Sequence, residues 1–165
     1  MIILSKLADY GVILGVHLAR ETGRAGALAG QAPTNAAALA EATQLPVSTV
    51  AKVLKSLARA GLVTSVRGAA GGYRLARPAQ LISVGDVVRA IDGPLGVTEC
   101  TSDEDHCKRV SFCVTRPHWS RINTAVAAAL GSVSLADMAS PFLSDDRPLA
   151  VPLAPVPATP SRPIP

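Results

Sequence analysis

Apolar residues recur along this chain at helical spacing, broken by one short stretch with the character of a strand pair. Leu7, Tyr10, Leu14 and Leu18 share one face of a first amphipathic helix ending near Gly23. Residues 23–33 are Gly/Ala-rich, close on Pro33 and read as a loop. Thr34 or Asn35 caps a second short helix through Leu39 and Ala42. Gln44-Leu45-Pro46 forms a tight turn into a third helix. That helix carries Val47, Val50, Leu54 and Leu57 on one face and stops at Gly61. Leu62 to Val66 reads as a strand, Gly68-Ala69-Ala70-Gly71-Gly72 as a connection, and Tyr73 to Ala76 as a second strand closing a hairpin. Ser83 caps a fourth helix bearing Val84, Val87, Val88 and Ile91, and Gly93-Pro94 ends it. A polar loop holding every cysteine runs to Pro117. Trp119, Ile122, Val126, Leu130 and Val133 then stripe a fifth helix, and Ser134 caps a last turn through Met138.

This order predicts a mainly α fold with a small β-wing: a winged helix-turn-helix with a C-terminal dimerisation helix. Four parts follow. Residues 1–93 form the winged helix-turn-helix domain, 94–117 the cysteine-bearing loop, 118–140 the dimerisation helix and 141–165 a disordered tail. The tail holds eight of the 13 prolines and has no apolar period. The stripe over about Pro117 to Leu130 exceeds what one small domain can cover, so a homodimer is expected.

Composition narrows the partner. Hydrophobic residues make up 48% of the 165 positions, enough for a core, while aromatics are only 3%. So few rings argue against a protein that stacks single-stranded bases. The net charge of +4 allows an anionic partner. No apolar run approaches a membrane span, and the first residues run into Asp9 without the basic flank of a signal peptide, so a cytoplasmic protein is expected.

The charge is concentrated where the fold needs it. Between Val47 and Arg77 lie six basic residues (Lys52, Lys55, Arg59, Arg67, Arg74 and Arg77) and no acidic one. With Val50, Leu54 and Leu57 buried, the other face of the third helix holds Ser48, Thr49, Lys52, Lys55 and Arg59. Short hydroxyls at a helix N-terminus approach bases or phosphates, and lysines farther along meet phosphates or guanine edges. Arg67, at the hairpin tip among small residues, is placed to enter a minor groove. A merely solvated basic face is the plain alternative; the turn, the acid-free run and the Gly-rich hairpin together favour double-stranded DNA. The Gly-rich run is no phosphate loop, because it lacks the required Gly-Lys spacing and opens no helix.

The loop reads Cys100-Thr-Ser-Asp-Glu-Asp-His-Cys107-Lys-Arg-Val-Ser-Phe-Cys113. Structural zinc sites pair their cysteines closely, whereas these are evenly and widely spaced. Three thiolates with a fourth position supplied from elsewhere suit an iron–sulfur cluster, and a site without a fourth thiolate opens easily. Zinc completed by His106 or His118, redox-active thiols without metal, and inert cysteines are the other readings. Glu99, Asp103, Glu104 and Asp105 disfavour bare thiolates, which a bound cation would offset.

With these residues in place the chain resembles the IscR/NsrR-like iron–sulfur winged-helix regulators over residues 1 to about 139. The resemblance is carried by Leu62-Val-Thr-Ser-Val-Arg-Gly-Ala-Ala-Gly-Gly-Tyr-Arg-Leu-Ala, by Ile82-Ser-Val-Gly-Asp-Val-Val-Arg-Ala-Ile-Asp-Gly and by the three cysteines. Arg116-Pro-His-Trp-Ser-Arg-Ile-Asn and Val133-Ser-Leu-Ala-Asp-Met are most like the subgroup regulating the SUF iron–sulfur assembly operon. The resemblance implies a homodimer that reads palindromic promoter DNA and represses or activates according to a [2Fe–2S] or [4Fe–4S] cluster. By position it implies Cys100, Cys107 and Cys113 as ligands, and Ser48, Thr49, Lys52 and Arg67 as DNA contacts. One member type has a fourth-ligand histidine where this chain has Arg116. Another takes an aspartate of the partner subunit, and Asp9 stands at the matching place; an exposed carboxylate in the first helical turn is its plain reading. The rivals are an enzyme using three thiols, for which no catalytic arrangement is apparent, and a zinc-stabilised adaptor that binds protein.

Overall fold

The computed structural model describes residues 4–25, 32–68, 70–98, 101 and 113–140. Helix α1 (Lys6–Ala25) is followed by α2 (Ala36–Thr43), α3 (Val47–Arg59), β1 (Val63–Val66), β2 (Gly72–Leu75), a 3₁₀ turn at Ala79–Leu81, α4 (Val84–Asp92), α5 (Arg116–Ser132) and α6 (Leu135–Ala139). This is a winged helix-turn-helix, mostly α with one two-stranded antiparallel sheet. The parts Cys100, Cys107, His106 and the segment 141–165 lie outside the described residues.

Local chemistry sets the element ends. Asn35 caps α2 by accepting the Ala38 N–H at 2.8 Å, and Gln44 closes it in the left-handed region at φ 57°. Ser83 and Asp86 form a reciprocal capping box at the start of α4, and Ser134 and Asp137 form another at the start of α6. The two boxes are joined: the Val84 N–H donates to the Val133 carbonyl at 2.9 Å, and the Leu135 N–H to the Ile82 carbonyl at 2.8 Å. The bridge fixes the C-terminal turn on the helical body.

The core lies where α1, α3, α4 and α6 meet. Leu14 and Leu18 of α1, Leu39 of α2, Val50, Val53, Leu54 and Leu57 of α3, Ile82, Val87 and Leu135 are fully buried or nearly so. Burying a side chain of this size contributes about 1.5–3 kcal/mol, so the cluster dominates stability. Helix α5 differs from the rest, for none of its 17 residues is buried. Leu130, together with Val133 just beyond the helix, packs against the core, while Trp119 and Ile122 are 37% and 44% exposed. The two helices α4 and α5 approach closely: a Cβ on Gly85 would lie 3.2 Å from the Gly131 nitrogen and 3.3 Å from the Leu130 carbonyl carbon.

Three sequence expectations shift. Helix α1 continues to Ala25, and β2 is Gly72–Leu75 rather than Tyr73 to Ala76. Val47 does not belong to the buried face; it is 53% exposed. It lies on the same stripe as Val50 and Leu54, but as the first residue of α3 it sits at the end of the core, on an open notch against α2 that leaves it half exposed. Val53, unremarked in the periodicity, is buried instead.

Candidate nucleic-acid interface and cysteine loop

Packing of Val50, Val53, Leu54 and Leu57 into the core fixes the rotation of α3, and its opposite face is left to solvent. Ser48, Lys52, Lys55 and Arg59 are exposed there, with Thr49 half-buried at the edge. Pro46 provides no side-chain cap; its carbonyl accepts the Thr49 and Val50 N–H groups at 2.9 and 3.0 Å. The positive end of the helix dipole therefore faces outward beside two hydroxyl residues.

The hairpin pairs Val63 with Leu75, Thr64 with Arg74, Ser65 with Tyr73 and Val66 with Gly72. Alternation puts Val63, Leu75 and Tyr73 on the core side and Thr64, Arg74 and Val66 on the other. Arg67 follows directly and is exposed at the tip. The hairpin is held to the helical body by a contact that sequence periodicity did not signal. The Thr34 N–H donates to the Tyr73 carbonyl at 3.0 Å, and the Tyr73 N–H to the Thr34 carbonyl at 2.8 Å. Gly72 makes this approach possible, because a Cβ there would sit 2.5 Å from the Thr34 carbonyl carbon and oxygen.

The structure separates the basic residues that the sequence grouped. Arg77 is committed within the domain, donating to Asp86 Oδ2 at 3.2 Å. The run is acid-free along the chain but not in space, since α4 brings a carboxylate to its last member. Lys52, Lys55, Arg59 and Arg67 remain exposed on the α3 and hairpin-tip surface.

Of the cysteines, Cys113 is described. It is half-buried just ahead of α5; its sulfur lies 3.3 Å from the Thr115 hydroxyl, and its carbonyl accepts the Arg116 N–H at 3.3 Å. His118 is exposed in the first turn of α5, and Asp9 in the first turn of α1. Among the described residues no three metal-ligating side chains come together. The leg entering the cysteine loop is anchored, however. The Val97 N–H donates to Asn123 Oδ1 of α5 at 3.1 Å, and Pro94 and Leu95 line a cleft of about 210 Å³ between α4 and α5. Neither tether had a sequence signal, because an Asn on a helix face looks the same whether solvated or bonded. No helix among the described residues is long and apolar enough to cross a membrane.

Comparison with known proteins agrees with this architecture. Residues 4–141 match the Rrf2 family, described as an iron-dependent transcriptional regulator. The chain is 33% identical over 137 residues to the HTH-type transcriptional regulator CymR of Bacillus subtilis, covering 83% of this chain and 89% of that protein. It is 32% identical over 110 residues to the HTH-type transcriptional regulator IscR of Vibrio vulnificus, covering 67% of this chain and 65% of that one. Among solved structures it resembles CymR, described as the global cysteine regulator of B. subtilis, with a TM-score of 0.64, 31% identity and coverage of 84% and 97%. It also resembles T. potens IscR, with a TM-score of 0.62, 32% identity and coverage of 88% and 89%.

Proposed function

The chain belongs to the Rrf2 family of transcription regulators, and on that premise we propose that it is a homodimer that reads a palindromic promoter and senses iron–sulfur status through a cluster. It is a DNA-binding regulator rather than an enzyme, as are its relatives. The observation that carries the DNA reading is the exposed face of α3, where Ser48, Lys52, Lys55 and Arg59 stand together with no acidic residue in α3 or the hairpin. In this reading α3 lies in the major groove, Thr49 and Ser48 approach the DNA at its N-terminus, and Arg67 enters the minor groove. The half-exposed stripe of α5, with Trp119 and Ile122 uncovered, supports the homodimer.

The cluster reading assigns Cys100, Cys107 and Cys113 as ligands, with the fourth from Asp9 of the partner subunit, His106 or His118. Cys113 fits: its half-buried sulfur lies just ahead of the N-terminus of α5, where a helix dipole favours the negative charge of a thiolate-held centre. When bound, a cluster supplies a redox- and iron-responsive centre. The chain's own residues do the rest: the thiolates hold it, Asn123 fixes the entering leg of the loop on α5, and α3 with the hairpin binds DNA. The SUF assembly genes are the proposed targets, on the likeness of residues 116–123 and 133–138.

Anaerobic purification with absorbance, iron and sulfide counts tests the cluster. Cys100→Ala, Cys107→Ala and Cys113→Ala each lose the visible chromophore and bind promoter DNA as the apo form does. Holo and apo forms differ several-fold in affinity, a coupling of about 1–3 kcal/mol. Equal affinity at matched salt would make any cluster structural and refute the sensing, leaving the DNA reading intact. Zinc in place of iron and sulfide would favour a zinc-stabilised regulator.

A further inference from the structure

Val47 is out of place as a core residue. It is apolar, 53% exposed, and the first residue of α3. On the helix it lies between buried Leu54, about 20° away, and exposed Ala51, about 40° away, so at the N-terminus of α3 it stands at the edge of the outer face that begins with Ser48. It borders a shallow apolar notch between α2 and α3, lined with Ala37, Ala40 and Leu45. The acidic residue of that notch is Glu41, on α2.

Each feature bears on what this edge of the helix meets. The N-terminal residues of a recognition helix are those that reach base edges. A branched alkyl group offers no hydrogen bond, so its partner there is apolar. Glu41 disfavours a phosphate at this edge. In the major groove, the apolar group presented by a base pair is the 5-methyl of thymine. We propose that Val47 is a specificity-determining residue that packs on a thymine 5-methyl group in each half-site. This rests on the reading of α3 as the DNA-contacting helix. Lys52, Lys55 and Arg59 then set affinity, while Val47 selects a T·A pair over the three alternatives and over uracil.

The test uses the full-length protein and the duplex it enriches from a random-sequence library. Each thymine is replaced in turn by uracil, which removes only the methyl, and binding is measured for the native protein, Val47→Ala and Val47→Thr. One replacement per half-site weakens native binding by about fourfold, the effect of one buried methyl. The same replacement leaves Val47→Ala within about 1.5-fold, because the variant has already lost that contact. Val47→Thr, nearly isosteric, keeps the methyl preference only in part. Because Val47 is exposed, both variants fold, and their circular dichroism and melting confirm it. Lys52→Ala separates the two levels of the argument. If it lowers the salt slope by about one unit while every uracil replacement affects native protein and Val47→Ala alike, the Val47 assignment is overturned and the DNA reading stands. If neither salt nor Lys52→Ala alters binding, α3 is not the DNA helix and both fall.

Discussion

Gly72→Ala tests how the hairpin is held in register with the recognition helix. Gly72 has no positive φ to preserve, so alanine costs nothing in backbone conformation; the cost is contact. Its Cβ would lie 2.5 Å from the carbonyl carbon and oxygen of Thr34 and 2.8 Å from the Asn35 nitrogen. These are backbone atoms and no rotamer change clears them, so β2 must move off residue 34. Doing so breaks the reciprocal pair between Thr34 and Tyr73, at 3.0 and 2.8 Å. Two backbone hydrogen bonds at about 0.5–1.5 kcal/mol each give a loss of roughly 1–3 kcal/mol. For a protein of this size that lowers the melting temperature by roughly 3–15 °C. The local signature is faster amide exchange at Thr34 and Tyr73, while Leu54 and Leu57 in the core keep their protection. The functional signature follows from Arg67, which rides on the same hairpin. Gly72→Ala should approach Arg67→Ala in promoter affinity, and the double variant should be little weaker than either, since both remove one placed side chain. A variant that melts with the native protein and retains its affinity would refute the reasoning, showing that the close approach at residue 72 does not position the wing.

Arg67→Ala itself should cost about 1–3 kcal/mol of specific promoter binding, measured by mobility shift at fixed salt, while Lys52→Ala should reduce the salt slope by about one unit. Truncation after Ser140 should leave melting and DNA affinity nearly unchanged, because residues 141–165 carry no apolar period that could repay ordering; a clear loss of melting temperature would mean the tail packs on the protein. The Ser134 hydroxyl, then its backbone N–H, hold the Asp137 carboxyl below its ordinary value of 3.8. A carboxyl lowered by folding stabilises the fold above that ordinary value and loses the contribution as pH falls through its folded value. NMR titration should therefore find Asp137 titrating below a free aspartate, and Ser134→Ala should raise it.

Much of this fold was legible along the chain because its helices are amphipathic and their ends carry cap chemistry. Asn35, Ser83 and Ser134 each announce a helix start, and each accepts the expected N–H. Periodicity failed at Val47, where a stripe position extends beyond the core it predicts: a heptad-like pattern reports direction around a helix, not whether a neighbour is present. It also missed Arg77, since an acid-free run in sequence says nothing about Asp86, which arrives from α4. The bridge at Thr34 was invisible for a related reason, because a single pairing residue has no alternation to detect. The site residues on α3 were named from the helix pattern and all lie on its outer face or edge. The cysteines rest on residue chemistry, spacing and the family resemblance, and spacing in a loop carries no information about which way the chain turns between them.

What the structure adds to the cysteine proposal is the direction in which a change there would travel. The loop departs from α4 just after Asp92. That residue accepts the Ser5 hydroxyl at 2.6 Å and the Ser5 N–H at 3.3 Å, while Ser5 Oγ accepts the Ala8 N–H at 3.0 Å. The end of α4 thus orients the cap of α1, one turn from Asp9. A few residues on, Val97 is bonded to Asn123 of α5, and the far leg joins α5 directly after Thr115. These attachments of the loop are to α4, to the start of α1 by way of Asp92, and to α5. Helix α3 is held by four buried side chains in a core shared with α1 and α4, so deforming it would cost several kcal/mol of packing. Helix α5 has no fully buried residue and meets the core through half-buried Leu130, beside α4. On the proposed reading, a cluster held by the loop would bear on the more lightly held α5 before it bore on α3. In the proposed dimer joined through α5, a movement there would appear as a change in the angle between the two copies of α3. Half-sites about one helical turn apart are sensitive to that angle, so the proposed cluster would change promoter affinity without contact to the DNA-binding surface.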